Sequence, residues 1–509
     1  MTAKQKTLLL IVIATLSRCL VAATIHLGND EVYYLSYAQH LQWNYFDHPP
    51  MVALLIRLTT LNLYWVTDFS VRLGPILLAA INTWLIYRVA ALIKNENAGF
   101  IAALLFTASF YSSIIAGTFI MPDAPQHFFW IIALYFLVQL FSQPISPRKI
   151  NRLLLGFGLV AGFCIMSKVH GFFLWLGAGL YILCYRRSLL RNPYLYLSVL
   201  ITAVCVSPIL FWNVENHFIT YTFHSSRVVP GHHININGFV RELFGGMFYN
   251  NPINYLLYVV VLWQIIKRRN DKATPTEKLL LLLSLPLIMI LLGVSLLRDT
   301  LPHWSGPGYT ALLLITAIRM EGYVSRVYFR LVKCAVGFTA IIAVAGVLVI
   351  NFYPGTLGKK QPDVLGKGDV TLDMYGWNTL KTHFGDLVVL NAQRNITSTR
   401  FIIANKWFPG SHIDNYVAQP LHMNFVALGK LEDIHTYAWL NKYRKPLKKG
   451  SDAYYITTSN NFKDPKEIYS DCFDTILKPE VVILQRGGKP AKQVFVYVLK
   501  GYRGVCCQL

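Results

Sequence analysis

The sequence contains few charged residues, and acidic residues are the scarcest of these. Only 14% of its 509 residues are charged, with 25 Asp and Glu against 47 Lys and Arg. In soluble domains roughly a quarter of all residues are charged, so this composition excludes an ordinary soluble protein. The chain is instead 54% hydrophobic, and apolar runs of the roughly 17–25 residues that a helix needs to cross a bilayer recur along its first two thirds. We therefore predict an integral membrane protein.

Three further absences narrow the possibilities. No tract has the small-residue cleavage site of a signal peptide, so the first apolar run is expected to be a retained anchor. None of the eight cysteines forms a zinc-type CxxC pair. Nucleic-acid binding is not predicted despite the net charge of +22, because Lys and Arg lie mainly in short connections between apolar runs, where membrane topology places them. Cys472 could form a disulfide with Cys506 or Cys507 if that region is exported, and free thiols are an equal alternative.

The apolar runs predict an all-α polytopic bundle with about eleven transmembrane helices. Basic residues stand at both ends of 153–185, so this segment should cross the membrane twice and turn at "SKVHG". All basic connections then share one side, with the N-terminus in the cytoplasm and everything after Asn351 outside. The predicted spans are 7–27, 70–93, 98–117, 125–141, 153–167, 171–185, 194–212, 254–266, 279–297, 306–318 and 328–350.

Two domains are predicted. Residues 1–351 form the membrane domain, whose external loop 28–68 holds two interfacial helices, the first over 31–43 and the second within "HPPMVALLIRLTTLNL". Residues 352–509 form an exported soluble domain of α/β or α+β type. Its predicted strands include "DLVVL", "AYYIT", "EVVIL" and "QVFVYVL", which are separated by Gly, Asn, Asp and Pro clusters.

The external connections collect acids and bases on one membrane face. Ionisable groups at a bilayer surface are costly unless they are paired or functional, which makes this collection a candidate site. A carboxylate that deprotonates an acceptor hydroxyl, beside cations that hold a departing phosphate, would transfer a group from a phosphate-activated lipid. The candidates are Asp30, Glu31, Asp47, His48, Asp123, Lys168, His170, His224, Arg227, Arg241, Arg298 and His303.

Simpler interpretations stay open for several of these residues. The acids could be incidental to topology, Asp123 could be a helix N-cap, and Lys168 could extend to the interface without a catalytic role. The histidines have no fixed metal-ligand spacing, although Asp30 and Asp123 leave a divalent metal possible. No cofactor is otherwise predicted.

Six motifs together resemble a known family. They are "NDEVYYLSYAQHL", "YFDHPPMV", "MPDAPQHFFW", "MSKVHGFFLW", "SPILFWN" and "LPHWSGPGYTALL". In this order they are similar to the bacterial relatives of protein O-mannosyltransferases and lipid A aminoarabinose transferases. These are membrane glycosyltransferases of the GT-C superfold that use dolichyl- or undecaprenyl-phosphate sugars. The resemblance covers about the first 320 residues.

The resemblance implies roles for individual residues. Asp30 would be the catalytic base, and Glu31 and Asp123 would be the other catalytic carboxylates. "YFDHPP" resembles a Tyr-Phe-Glu-Lys-Pro pattern whose basic residue meets the donor phosphate, but here that residue is His48, with a reference pKa near ~6.5. The further donor-phosphate positions would be Lys168, His224, Arg227 and Arg298. The pocket walls would be Tyr33, Tyr34, Asp47, His303, Trp304 and Tyr309.

The resemblance thus implies an inverting glycosyltransferase in the inner membrane with a periplasmic active site. Its partners would be a polyprenyl-phosphate-linked sugar donor, membrane lipids, and a lipid A, glycan or protein acceptor. A lipid-linked sugar transporter or flippase is the alternative from another class, although no internal repeat supports it. A scaffold for the exported domain and an oligosaccharide ligase are the remaining alternatives.

Overall fold

The computed structural model describes residues 1–142, 144–228, 234–267, 273–322 and 326–504, with the backbone alone for 224–228 and 326–328. Packing divides the chain into two compact units. The helical unit comprises Met1–Ala23 and Leu41–Ala343, and the C-terminal unit comprises Thr24–His40 and Val344–Leu509. The predicted domains assign 28–68 wholly to the membrane part, whereas packing groups Thr24–His40 with the C-terminal unit. That residues 1–351 and 352–509 form two independent domains stays a prediction.

The first 352 residues are almost entirely helical. The helices are α1 (Ala3–Thr24), α2 (Asn29–Gln39), α3 (Met51–Thr59), α4 (Asp68–Ile93), α5 (Glu96–Ala108), α6 (Asp123–Ser142), α7 (Pro147–Ser167), α8 (Phe172–Tyr185), α9 (Pro193–Glu215), α10 (Ile219–Val228), α11 (Ile236–Tyr249), α12 (Pro252–Lys267), α13 (Pro275–Ser295), α14 (Gly306–Gly322) and α15 (Arg326–Phe352).

A helix occupies each of the eleven predicted spans. Within the described residues, seven helices are long and apolar enough to cross a membrane: α1, α4, α6, α7, α9, α13 and the Phe329–Phe352 part of α15. The apolar segments Glu96–Ala108, Val169–Tyr185 and Pro252–Lys267 are shorter. The chain is a multi-pass membrane protein, and the number of eleven spans stays a prediction.

The predicted turn at "SKVHG" is confirmed. Helix α7 ends at Ser167, Lys168 is extended, and a short 3-10 turn precedes α8. Gly171 allows this turn to close, since a Cβ there would lie 2.6 Å from the Ile165 backbone nitrogen. The short loop at Lys168–Gly171 therefore joins the end of α7 to the start of α8.

The first predicted interfacial helix differs from the observed one. Helix α2 ends at Gln39 instead of reaching Trp43, and its residues from Glu31 to Ala38 are buried. Its aromatic side chains pack on the C-terminal unit, for example Tyr33 on Trp407 at a ring distance of 4.9 Å. Protein therefore packs around Glu31–Ala38, whereas Leu41 and Trp43 are exposed, and the interfacial position of 31–43 stays a prediction. The second predicted helix is α3, which follows Pro50.

The C-terminal unit is built on a six-stranded mixed sheet. Its strands are β1 (Phe401–Ala404), β2 (Asn424–Ala427), β3 (Ala453–Thr458), β4 (Phe473–Ile476), β5 (Glu480–Arg486) and β6 (Lys489–Tyr502), and its helices after α15 are α16 (Trp377–Gln393), α17 (Trp407–His412), α18 (Leu431–Ile434), α19 (Tyr437–Leu440) and α20 (Pro465–Tyr469). The order is β2-β1-β3-β6-β4, with β5 also on β6. Strand β1 is parallel to β2 and β3, and β6 is antiparallel to its partners.

The predicted mixture of helix and sheet is thus confirmed, with one error. "DLVVL" lies inside α16 and not in a strand. Leu380 and Phe384 of this helix are buried, and this i, i+4 spacing is the helical period that the short run hides.

Candidate active site

A buried ion pair lies where α6 begins and α7 ends. Asp123 is the first residue of α6, and Lys168 directly follows α7. The Lys168 Nζ donates to both carboxylate oxygens of Asp123, at 2.9 and 2.8 Å. The side chains are only 3% and 1% exposed. Desolvating two charges is costly, so such a pair is a functional candidate more than a source of stability.

Tyr111, which lies in a third element, forms a further hydrogen bond to this ion pair. Its hydroxyl donates to Asp123 Oδ1 at 3.3 Å. The residue begins a π-helical segment, Tyr111–Ile115, a distortion frequent at functional sites. Its ring packs directly on Gly306, where a Cβ would lie 2.4 Å from ring atoms. Tyr111 was not predicted as a site residue, because it lies within the predicted apolar span 98–117.

Two of the predicted histidines are electrostatic neighbours of the pair. His48 and His303 both interact with the charge of Asp123. Burial lowers the pKa of His303 to about 4, although the Asp123 charge acts in the opposite direction. His303 is therefore neutral near pH 7, and it suits a pocket wall that exchanges hydrogen bonds. Its ring lies 5.9 Å from that of Tyr249.

A buried carboxylate holds the segment that carries His303 and Trp304. The Thr300 hydroxyl donates to Glu242 Oε2 at 2.6 Å, and the Ser305 hydroxyl is 3.4 Å from Glu242 Oε1. Burial raises the pKa of Glu242. Trp304 then faces the turn after α7, with its ring 5.5 Å from that of His170. Glu242 was not predicted, since it lies in the long external connection between two predicted spans and belongs to no motif.

An unsatisfied amide lies one helical turn from Asp123. Gln126 is 1% exposed, and within the described residues neither its Nε2 nor its Oε1 has a hydrogen-bond partner. Residues three apart share a helix face. Each unpaired buried polar group costs about 1–3 kcal/mol. Water or a ligand group would remove that cost, which adds Gln126 to the candidate site.

The remaining predicted wall and phosphate residues of the helical unit are placed as follows. Asp47 and His48 are half-buried in the segment before α3. Tyr309 is buried on α14 against Tyr255, at a ring distance of 5.9 Å. Arg298 is half-buried three residues beyond α13. His224 and Arg227 fall in α10, and their side chains lie outside the described part of the chain.

Four predicted residues belong to the C-terminal unit. Asp30 is exposed in the first turn of α2. Glu31 is 2% exposed, and its Oε2 accepts from the Gly28 backbone N–H at 2.8 Å. Tyr33 and Tyr34 are buried, and the Tyr33 hydroxyl accepts from the Thr436 N–H at 3.2 Å. Their positions relative to Asp123 and Lys168 stay a prediction.

The described side chains do not form a metal centre. Across the described ranges, no group of three or more His, Cys, Asp or Glu is arranged to hold a metal ion. Both oxygens of the Asp123 carboxylate already accept from Lys168.

Comparisons with known proteins identify similar membrane glycosyltransferases. Residues 47–212 match the family described as dolichyl-phosphate-mannose-protein mannosyltransferase, and this range contains His48, Asp123 and Lys168. A curated relative, the lipid A galacturonosyltransferase RgtD of Rhizobium johnstonii, is 23% identical over 356 residues, which cover 68% of this chain and 69% of that protein.

The fold agrees with a solved structure over nearly its whole length. The apo crystal structure of ArnT from Cupriavidus metallidurans superposes with a TM-score of 0.60 at 14% identity, covering 97% of this chain and 98% of ArnT. ArnT bound to undecaprenyl phosphate gives 0.61 at 14% identity, covering 96% and 97%. With its multi-pass helical unit and its sheet-containing C-terminal unit, the chain has the fold of ArnT, and it is similar to membrane glycosyltransferases of the GT-C superfold.

Proposed function

We propose that the chain transfers a sugar, with inversion, from a polyprenyl-phosphate carrier to a hydroxyl or phosphate oxygen of an acceptor at the periplasmic membrane face. The observation that carries this proposal is the buried Lys168–Asp123 pair inside the family-matched range. The name of the curated relative supports lipid A as the acceptor and a hexuronic acid as the sugar. The undecaprenyl phosphate bound to ArnT supports the carrier class.

Lys168 is arranged to receive a departing phosphate. An ammonium group has three donor protons, and two of them go to the Asp123 oxygens. The third is available for a phosphate oxygen, while Asp123 and Tyr111 fix the direction of the side chain. A preorganised cation in a water-poor site stabilises the developing negative charge strongly. His48, Arg298, His224 and Arg227 would add donors around the same phosphate.

Asp30 is the proposed base. Its carboxylate would accept the proton of the acceptor hydroxyl while that oxygen bonds to the anomeric carbon. The bond from the anomeric carbon to the phosphate oxygen breaks in the same step, and the carrier leaves as a phosphate monoester. Glu31 would position Asp30, because its own carboxylate already anchors the Gly28 backbone at the start of α2.

The cysteines and the basic connections support the proposed orientation of the chain. Cys472 is disulfide-bonded, and its possible partners Cys506 and Cys507 lie outside the described residues. Disulfides persist in oxidising compartments, which supports an exported C-terminal unit. The basic connections support an inner-membrane protein with a cytoplasmic N-terminus.

The test of the base is Asp30→Asn in full-length protein in lipid nanodiscs. We expect loss of sugar transfer, with thermal unfolding and binding of the undecaprenyl-phosphate sugar unchanged, because Asn keeps the shape but cannot accept the proton. Asp386→Asn is the matched control, since Asp386 is an exposed acid on α16 of the same unit. Ordinary transfer rates in Asp30→Asn would show that the base lies elsewhere.

A further inference from the structure

The sheet of the C-terminal unit reverses its winding at β1. Strand β1 lies between β2 and β3 and is parallel to both, with Phe401 opposite Asn424 and Ile402 opposite Tyr454. The chain runs from β1 to β2 on one side and then passes back to β3 on the other side. At such a reversal the connections leave the two strands in opposite directions. A crevice therefore opens at their carboxyl ends, and ligands of open α/β sheets bind there.

A cavity of about 380 Å³ occupies this crevice. The residues that end or follow β1 line one side of it, and those that end or follow β3 line the other. Among the lining residues are Asn405, Lys406, Tyr455, Asn460, Phe462 and Lys463. The volume lies at the lower end of the roughly 300–1,000 Å³ of small-molecule sites, so the cavity suits a ligand of sugar size.

Amide groups give the crevice its polar character. The Tyr455 hydroxyl donates to Asn405 Oδ1 at 3.1 Å, which fixes how that amide is turned. Across the crevice, Asn460 Oδ1 is shielded from solvent, and within the described residues it has no hydrogen-bond partner. A buried acceptor without a donor is unfavourable. A ligand hydroxyl would supply the missing donor.

Charge and aromatic surface specify the ligand further. Three lysines and one aspartate line the cavity: Lys367, Lys406, Lys463 and Asp363. Lys406 is paired with Asp433 at 2.8 Å, yet the lining as a whole stays positive. At the mouth, Phe462 is 41% exposed, and its ring is supported edge-on by Phe495 at 5.2 Å. Apolar ring surface beside amides and cations matches a sugar ring that carries an anionic group.

We propose that this crevice is a saccharide-binding site of the C-terminal unit that takes a sugar bearing a phosphate or a carboxylate. The Phe462 ring covers the C–H face of the sugar, the Asn405 and Asn460 amides meet its hydroxyls, and Lys463 meets its anionic group. The site involves no bond making or breaking. It is therefore independent of the proposed transfer reaction, and binding alone tests it.

The experiment measures binding to full-length protein in nanodiscs by calorimetry and by saturation-transfer NMR. The anionic probes are N-acetylglucosamine 1-phosphate and galacturonic acid, which separate a phosphate from a carboxylate source. N-acetylglucosamine, inorganic phosphate and uridine diphosphate are the comparison ligands. We expect saturable binding of at least one anionic sugar. N-acetylglucosamine and inorganic phosphate should each bind with an affinity at least about tenfold lower, because each lacks one set of contacts.

Variants place the binding in the crevice. Asn460→Ala and Lys463→Ala should each weaken the anionic sugar about tenfold, whereas Lys466→Ala, an exposed lysine three residues further on, should leave it unchanged. Lys463 is itself exposed, so its replacement does not endanger folding, and unfolding midpoints check both variants. Equal binding of neutral sugar, tighter binding of uridine diphosphate, no binding of either anionic sugar, or affinity untouched in both variants would each overturn the proposal.

Discussion

Replacing Lys168 by Met separates the catalytic value of the Asp123 pair from its structural cost. The variant leaves a carboxylate that is 1% exposed without its cation. Breaking a buried pair costs about 3–5 kcal/mol, because the remaining charge stays desolvated. That loss corresponds to about two to four orders of magnitude in the unfolding equilibrium. Asp123→Asn should cost a similar amount, since it leaves the ammonium group unpaired.

The double variant Asp123→Asn with Lys168→Met distinguishes the two roles. Removing both charges leaves no buried ion, so most of the lost stability should return. Turnover per folded molecule should not return, because the donor to the leaving phosphate is still missing. Loss of one such donor typically costs about 10²–10³ in rate. Thermal unfolding and release of the carrier phosphate, both in nanodiscs, are the two measurements.

A second buried pair provides the matched control. Arg319 Nε donates to Glu277 Oε1 at 2.6 Å, and these side chains are 7% and 4% exposed. Glu277→Gln should therefore destabilise the protein by a comparable amount while turnover per folded molecule stays near that of the wild type. If turnover recovers together with stability in the Asp123 and Lys168 double variant, the pair is structural and the assignment of Lys168 to the phosphate is refuted.

Three further predictions concern packing and pH. Gly306→Ala should lower the free energy of unfolding by about 1–3 kcal/mol and reduce turnover, because the added Cβ displaces the Tyr111 ring. Gly179→Ala should change neither, because the space around Gly179 is open. Equal unfolding midpoints for the two variants would contradict this prediction. His303 has a pKa lowered by burial to about 4, so His303→Gln should leave the shape of the turnover profile between about pH 6 and 8 unchanged, and a shifted acidic limb would refute it. Burial lowers the pKa of Lys492 to about 7. Between pH ~7 and ~10 the unfolded chain therefore binds a proton at Lys492 that the folded chain does not bind, so stability should rise with pH across this window. Lys492→Met should flatten this rise in the unfolding midpoint.

Much of the helical unit could be predicted because membrane insertion is a local property of the sequence. Apolar length and flanking Lys and Arg placed the break at Lys168, even though 153–185 could also have formed one overlong helix. The position of α2 could not be found in this way. Its aromatic side chains fit a membrane interface as well as they fit Trp407, and the ring contact between Tyr33 and Trp407 exists only in the folded C-terminal unit.

The site was predictable to the extent that its residues stand out in external loops. Asp123 and Lys168 interrupt apolar sequence, and the energetic cost of an ionisable group at a bilayer surface was sufficient to predict them as candidate site residues. Tyr111 and Gln126 look like ordinary residues of apolar helices, and their importance arises from contacts made or left unmade in the folded bundle. Glu242 is recognised only from Thr300 and Ser305, which lie about 60 residues away along the chain.

The most direct test follows both products of the proposed reaction. Full-length protein in nanodiscs is supplied with undecaprenyl-phosphate galacturonic acid and lipid A, and mass spectrometry follows the carrier and the acceptor together. We expect one undecaprenyl monophosphate released for each sugar gained by lipid A or by another hydroxyl acceptor, with both products absent in Asp30→Asn. Intact donor moved across the membrane without release of carrier phosphate, under conditions where a panel of sugars and acceptors also gives no transfer, would contradict a glycosyltransferase and favour a flippase.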